Sequence, residues 1–430
     1  MTDGSATAHL YKPKLLTVLG EGYDAASLRK DAIAGLTVAV VALPLSMAIA
    51  VASGVSPDRG VYTAIIGGFL VSALGGSRFQ IGGPAGAFIV LVSATVTRFG
   101  LEELLATVFL SGLILTLVGF SRLGSLVRFI PHAVTVGFTC GIAVTILASQ
   151  LKDLGGFQLS GPEPGPLFPK LAMLASEVAT LDPWAVSLGV GSTLLIFLLR
   201  RYRPSWPGML VAVVLASVLA ASFHLPVETI HSHFGDIARG LPAFAVPDLT
   251  SGSPLQLARV VFSFTLLGGV ESLLSAKVAD GMTGRKHRYN MELVAQGIAN
   301  IVSACFGGIS VTGTIARTAT NIRAGAQSPL AGIMHAAFLL VFVLVAAPLA
   351  GYIPLAALAG VLMVVSWNMA EAHEFSRLLW QWQSASVLLA TFLLTLAYDL
   401  SIGILAGCAM AASLSGLSAK FPDRFSAPRE

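Results

Sequence analysis

Two short stretches, Gly82-Gly-Pro-Ala-Gly-Ala-Phe88 and Ser310-Val-Thr-Gly-Thr-Ile-Ala-Arg317-Thr-Ala-Thr-Asn321, decide how this chain folds. Both are too short and too rich in Gly, Pro or Thr to be ordinary membrane spans, yet each stands among long apolar segments. Interrupted helices at corresponding places in two halves of a chain point to a transporter built from inverted repeats. The spacing agrees: Pro44 precedes Pro84 by 40 residues and Glu271 precedes Thr312 by 41. In such a fold the N-termini of the two broken helices face each other near the bilayer midplane and present free backbone N–H groups and positive dipole ends. A fixed cation at that depth costs about 2.5–3.5 kcal/mol on insertion scales, so Arg317 is expected to meet an anion. Gly83 and Gly313 would also serve close helix packing, since Gly is common in membrane helices for that reason, but the paired placement favours the broken-helix reading.

The surrounding composition is that of a polytopic membrane protein. Hydrophobic residues make up 55% of the 430 residues and charged residues 11%, far more apolar surface than a soluble core of this length hides. Runs such as 32–52, 104–120 and 331–349 approach or reach the roughly 20 residues that cross about 30 Å of hydrocarbon as helix. No alternating pattern of a membrane barrel is present. The polar first thirty residues lack an apolar core with a small-residue cleavage site, so no cleaved signal peptide is expected. Cys140, Cys305 and Cys408 lie in or beside apolar runs without metal-ligand spacing and read as packing residues. His132, His224, His231 and His233 lack such spacing too, so neither a metal nor another cofactor is expected. Nucleic-acid binding would need clustered basic residues on a soluble module, and ATP-driven transport a Gly-Lys-Ser/Thr loop. Neither pattern occurs, and nothing supports an enzyme.

Fourteen hydrophobic segments can be drawn: 32–53, 59–76, 84–97, 103–121, 130–150, 183–200, 207–223, 257–279, 292–306, 313–322, 329–348, 352–368, 383–398 and 400–418. Seven in each half is an odd number, which inverts the second repeat relative to the first. The expected organisation is an N-terminal segment at 1–31, a first repeat at 32–225, an extracellular loop at 226–256, a second repeat at 257–418 and a tail at 419–430. Placing both termini in the cytoplasm puts Lys12, Lys14, Arg29, Lys30, Arg200, Arg201, Arg203, Arg285, Lys286, Arg288, Lys420, Arg424 and Arg429 inside, with Arg128 among others. Only Arg59, Arg98, Lys152, Lys170, Arg239 and Arg259 fall outside. The expected location is a plasma membrane, as in a bacterial inner membrane.

Further stretches carry a family resemblance. Asp31-Ala-Ile-Ala-Gly-Leu-Thr-Val with Leu43-Pro-Leu-Ser-Met-Ala48, Gly82-Gly-Pro-Ala-Gly-Ala87, His132-Ala-Val-Thr-Val-Gly-Phe138 with Gln150-Leu151, and Ala279-Asp-Gly through Asn290-Met-Glu-Leu-Val-Ala-Gln-Gly-Ile-Ala-Asn300 resemble, in order and spacing, the SulP sulfate permeases, also called solute carrier family 26. The resemblance covers nearly the whole chain. It implies an all-α, fourteen-span fold in which a core domain (spans 1–4 and 8–11) moves against a gate domain (spans 5–7 and 12–14), with substrate between the tips of helices 3 and 10. Family substrates include sulfate, bicarbonate, chloride, oxalate and dicarboxylates, and homodimers are a family expectation. Most members also carry a C-terminal STAS domain; here the sequence ends at Glu430, about a dozen residues past the last segment, and no such domain is expected in it.

The candidate substrate site is Pro84, Ala85, Gly86 and Ala87 from segment 3 with Thr312, Gly313, Thr314 and Arg317 from segment 10. A guanidinium can engage an oxyanion bidentately, while the hydroxyls and backbone N–H groups supply neutral donors. Glu271 and, one helical turn later, Ser275 are the candidate coupling-ion site. A buried carboxylate can take up a proton, and a carboxylate with a hydroxyl can equally hold Na⁺. Glu271 could alternatively be a structural acid paired with Arg317 or Lys277, although Lys277 is expected to snorkel to the interface. Asp280, Glu292 and Asn300 read as structural. Some family members place a Glu directly after the span 1 proline as a proton site; this chain has Leu45 there, so coupling would fall to Glu271. The expectation is a secondary-active inorganic-anion transporter, sulfate first and H⁺-coupled. The alternatives are Na⁺-coupled bicarbonate transport, anion exchange, a channel-like conductor, or a nucleobase permease of the same architecture.

Overall fold

The computed structural model describes residues 11–124, 131–161, 164, 167–236, 240–249, 254–398 and 400–420; within these, the side chains of 254–256, 400, 401 and 415–420 are not described. The beginning of the N-terminal segment, most of the C-terminal tail, Arg128, Arg239, Arg424 and Arg429 lie outside the described residues.

Helices account for all fourteen segments. The first repeat contains span 1 (Ala25–Ala52), span 2 (Pro57–Tyr62, Thr63–Gly67 and Gly68–Leu74), span 3 (Gly86–Phe88 continuing as Ile89–Phe99), span 4 (Leu101–Phe120), span 5 (His132–Gly155), span 6 (Pro183–Tyr202) and span 7 (Gly208–Ser222). The second contains span 8 (Pro254–Thr283), span 9 (Tyr289–Cys305), span 10 (Ile315–Arg323), span 11 (Leu330–Ala350), span 12 (Leu355–Met369), span 13 (Trp382–Ala397) and span 14 (Leu400–Lys420). Among the described residues, seven of these helices are long and apolar enough to cross a bilayer unaided, span 12 being counted there with the helix after it. Further short helices, among them Leu167–Ser176 and Ala372–Leu379, lie outside the fourteen segments. They are short and mix apolar with polar residues, so no bilayer-length run announces them.

Local chemistry sets the helix ends. Asp24 accepts the Ser27 N–H at the start of span 1, and Asp182 accepts the Trp184 and Ala185 N–H groups at the start of span 6. Span 5 begins after Pro131 and stops at Gly156, whose φ of 62° is the left-handed cap that glycine adopts without penalty. Span 1 continues through Pro44. Its missing N–H leaves a carbonyl one turn earlier without its helical donor, a break that membrane helices tolerate when neighbours compensate. Span 2 widens into a π-turn at Thr63–Gly67, a geometry common beside functional sites. The Thr63 hydroxyl there accepts the Ile309 N–H at 2.7 Å and so ties span 2 to the approach of span 10.

Packing separates two bodies. Span 4 lies on spans 8 and 9, and span 11 lies on spans 1 and 2, the exchange of partners that an inverted repeat produces. In the other body span 5 packs on spans 12 and 13, span 12 packs on span 6, and the pairs 6–7 and 13–14 are matched. These are the core and gate domains. Small residues let backbones approach within each: a Cβ at Gly112 would fall 2.6 Å from the Gly297 carbonyl between spans 4 and 9, and one at Gly360 2.6 Å from the Gly189 carbonyl between spans 12 and 6. Without a hydrophobic driving force between helices in lipid, such contacts supply the association energy by close packing.

At one end of the core, a short helix (Lys14–Gly20) clasps the loops before span 3 and span 9. The Lys14 N–H meets the Gly75 carbonyl, and Arg288 donates to the Lys12 carbonyl and the Thr17 hydroxyl. Arg78 donates to Glu21 at 2.5 Å and holds that exposed carboxyl below its usual range.

Candidate functional site

The two broken helices meet through strand pairing. Gly82–Gly83 (β1) and Thr312–Gly313 (β2) form a two-residue antiparallel ladder with Gly82 opposite Gly313 and Gly83 opposite Thr312. Directly after each strand the chain turns into helix, so the N-termini of spans 3 and 10 converge on the crossing. In span 10 the Thr318 N–H is bonded back to the Thr314 carbonyl, which leaves the N–H groups of Ile315, Ala316 and Arg317 without an acceptor in the preceding turn. Span 3 starts with a tighter turn in which Phe88 N–H meets the Ala85 carbonyl.

Span 10 is held in place by an unusual face. Thr314, Thr318 and Asn321 recur at helical spacing and all bond the segment that leads into β1. The Thr314 N–H and hydroxyl reach the Ile81 carbonyl at 3.0 and 3.2 Å, the Thr318 hydroxyl accepts the Ile81 N–H at 3.1 Å, and the Asn321 amide donates to the Phe79 carbonyl at 2.9 Å. Behind β2, span 9 supplies Asn300, whose side chain pairs with both the N–H and the carbonyl of Val311 at 2.9 Å, and Gln296, which donates to the same carbonyl. Span 8 supplies Ser272, which bonds the Thr312 hydroxyl at 2.9 Å and the Gly313 N–H at 3.1 Å, and Ser275, which reaches the Thr318 hydroxyl at 3.3 Å. These polar groups satisfy backbone that hydrocarbon would otherwise leave unpaired. Replacing Asn300 by Ala strands the Val311 N–H, at an expected cost of about 1–3 kcal/mol read as a lower melting temperature in detergent.

Arg317 is 2% exposed. Its Nη2 donates to the Ser46 hydroxyl of span 1 at 3.0 Å and to the Pro84 carbonyl at 3.3 Å, and its Nη1 lies so close to Gly83 that a Cβ there would collide with it. Nε and Nη1 have no hydrogen-bond partner. The guanidinium therefore reaches from span 10 across to the tip of span 3 with two N–H-bearing nitrogens unspent. Gly86, on the same tip, abuts Ile146 of span 5 and Met369 of span 12, so the crossing borders the gate domain.

The sequence-derived residues fall as follows. Pro84, Ala85, Gly86 and Ala87 form the span 3 tip, and Thr312, Gly313, Thr314 and Arg317 the span 10 side. The Thr312 and Thr314 hydroxyls are engaged within the scaffold. Glu271 keeps one buried carboxylate oxygen, Oε2, without a partner, and no ion pair joins it to Arg317 or Lys277 among the described residues. Lys277 is exposed. Asp280 accepts from His287 at 2.7 Å and Glu292 accepts the Ser77 N–H at 2.9 Å, both structural uses. Among the described residues no cluster of His, Cys, Asp and Glu could hold a metal.

Sequence reasoning missed Ser46, Ser272, Gln80 and His335. Gln80 is buried over Gly313 with both amide atoms unpartnered, and His335 of span 11 is buried with both ring nitrogens unpartnered. A cavity of about 420 Å³ between spans 1, 2, 7 and 11, lined by residues such as Leu43, Val213 and Phe342, is almost wholly apolar. No basic side chain is among its lining residues.

Two inverted repeats whose broken helices meet tip to tip around a buried guanidinium are the architecture of a membrane transporter. The chain belongs to the sulfate permease family, whose family model matches residues 28–393. YvdB of Bacillus subtilis (strain 168), named provisionally as a sulfate transporter, is 43% identical over 394 residues, covering 91% of this chain and 74% of that protein. The bicarbonate transporter BicA of Picosynechococcus sp. is 31% identical over 397 residues, covering 88% and 68%. The solved transmembrane domain of a cyanobacterium bicarbonate transporter BicA superimposes with a TM-score of 0.78 at 29% identity, over 90% of this chain and 98% of that one. SLC26A9 shares the fold, with a TM-score of 0.87 at 18% identity, over 96% of this chain and 69% of that one. The protein is an anion transporter of this family, a multi-pass membrane protein and not an enzyme.

Proposed function

We propose that the protein carries sulfate by alternating access in symport with protons, and that the anion binds between the tips of spans 3 and 10 against Arg317. One observation carries this reading: a buried guanidinium with Nε and Nη1 unpartnered, at the crossing of two helix N-termini. Nε and Nη1 each offer a charge-assisted donor, on different edges of the guanidinium, and helix dipoles add to the field. The Pro84 carbonyl and Ser46 hydroxyl fix the guanidinium's direction, which makes them positioning groups. Ala85, Gly86 and Ala87, with Gly313, would contribute backbone donors.

Glu271 is the proposed proton carrier, because its carboxylate has a buried oxygen without a partner and no bond to Arg317 that would spend it. Glu271→Gln is expected to abolish accumulation against a gradient while anion exchange across the membrane continues. Concentrative uptake retained in that variant would place coupling elsewhere.

The second reading, Na⁺-coupled bicarbonate transport, is favoured by the similarity to BicA and by Ser275 one turn from Glu271. It is weakened by the engagement of the Ser275 hydroxyl with Thr318. Exchange or channel-like conduction would show as uptake without any imposed cation gradient. A nucleobase permease would take up uracil unaffected by sulfate, and has no use for Arg317. The bias of basic residues supports cytoplasmic termini and the seven segments in each half support repeats at 32–225 and 257–418; a plasma membrane is the proposed location. A homodimer is proposed from the resemblance alone.

A further inference from the structure

His335 stands outside the proposed site residues, yet its surroundings are unusual. The imidazole is fully buried in span 11 and neither Nδ1 nor Nε2 has a hydrogen-bond partner, whereas buried polar side chains are almost always paired. Two glycines make room for this histidine. A Cβ at Gly35 of span 1 would fall 2.9 Å from the His335 backbone nitrogen, and one at Gly68 of span 2 would lie 3.5 Å from its Cδ2 and 3.8 Å from its Nε2. The same point at Gly68 lies 3.2 Å from the Gly82 carbonyl, so the ring and β1 both border Gly68, and the next strand residue, Gly83, is the one Arg317 packs on.

The charged groups facing this ring are few. On span 1, Asp31 is spent on the N–H groups of Gln327 and Ser328 and on the Tyr23 hydroxyl. Span 2 has no ionisable residue from Thr63 to Leu74. On span 10, Arg323 is exposed, while Arg317 is the buried charged residue that packs on Gly83 of β1. A second positive charge beside Arg317 is opposed while the site is empty. A bound dianion removes that opposition and leaves a net attraction.

We infer that His335 takes up a proton when the anion binds and releases it when the anion leaves, as a second proton-coupling residue beside Glu271. The inference rests on the anion occupying the Arg317 crossing. By reciprocity, a proton that favours anion binding is itself bound more tightly with the anion present. Anion affinity must then rise as pH falls, by up to tenfold per pH unit for each proton taken up.

The test is calorimetric titration of the whole purified chain with sulfate, and separately with bicarbonate, in two buffers of different ionisation enthalpy, which yields protons taken up per anion bound. His335→Gln keeps a polar side chain of similar reach, and His335→Asn serves where it fails to fold. The expected result is that proton uptake falls by up to one per protein in the His335 variants relative to wild type, with a correspondingly flatter pH dependence of affinity. Unchanged proton uptake in a folded variant overturns the inference. Arg317→Ala separates the two ideas: normal anion affinity there defeats the anion site, whereas lost affinity there with unchanged proton uptake in His335→Gln defeats the histidine role alone.

Discussion

Arg317→Ala is expected to lose sulfate binding by at least about a hundredfold and to abolish measurable uptake, because it removes the site's buried positive charge together with charge-assisted donation worth about 1.5–3 kcal/mol per hydrogen bond. The loss should not come from unfolding. The guanidinium is buried without a carboxylate partner, so its removal relieves a desolvation cost. The groups it leaves behind are the Ser46 hydroxyl, which also bonds the Ala42 carbonyl at 2.6 Å, and one carbonyl of Pro84. Arg317→Lys should recover part of the affinity, since the charge persists while the planar fork is gone. Detergent melting within a few degrees of wild type, beside absent uptake, is the expected pair of readings. Normal sulfate affinity in the alanine variant would remove Arg317 from the site.

Replacing the crossing glycines is expected to have nearly as large an effect. A methyl at Gly83 collides with Arg317 Nη1, and a methyl at Gly313 collides with the Gln80 amide, which is itself buried. Gly83→Ala must push the guanidinium aside and should therefore weaken anion binding toward the level of Arg317→Ala. At Gly313 the overpacking costs about 1–3 kcal/mol and tilts β2, and Gly313→Leu should block transport outright. Gly191 in span 6 has nothing within 4 Å of the equivalent point, so Gly191→Ala provides a control expected to transport normally. Wild-type uptake in Gly313→Leu would sink the close-approach geometry.

Much of this arrangement was legible in the sequence because membrane folds write their architecture in long local signals. Fourteen apolar segments, the broken stretches at 82–88 and 311–316 and the isolated Arg317 required no knowledge of tertiary contacts. Strand pairing of Gly82 with Gly313 was not legible, since two-residue strands carry no periodicity. Nor was the role of Ser46, which meets Arg317 from 271 positions away, or of Ser272 and Thr318, which look like ordinary small residues of a span. Gln80 and His335 escaped for another reason: an unpartnered buried polar group is a statement about its surroundings, and only the packed structure shows what fails to reach it. Pairing of Glu271 with Arg317 or Lys277 is the alternative that charge alone suggests, and in the structure the arginine bonds Ser46 and Pro84.

The most direct measurement is uptake of labelled sulfate into proteoliposomes under an inward proton gradient, with labelled bicarbonate and a sodium gradient run in parallel. An Arg317-centred site coupled through Glu271 predicts saturable sulfate accumulation above its equilibrium level, driven by protons and not by sodium. Sodium-driven bicarbonate accumulation with no sulfate uptake would contradict it, recasting Glu271 and Ser275 as a cation site and leaving Arg317 a structural partner.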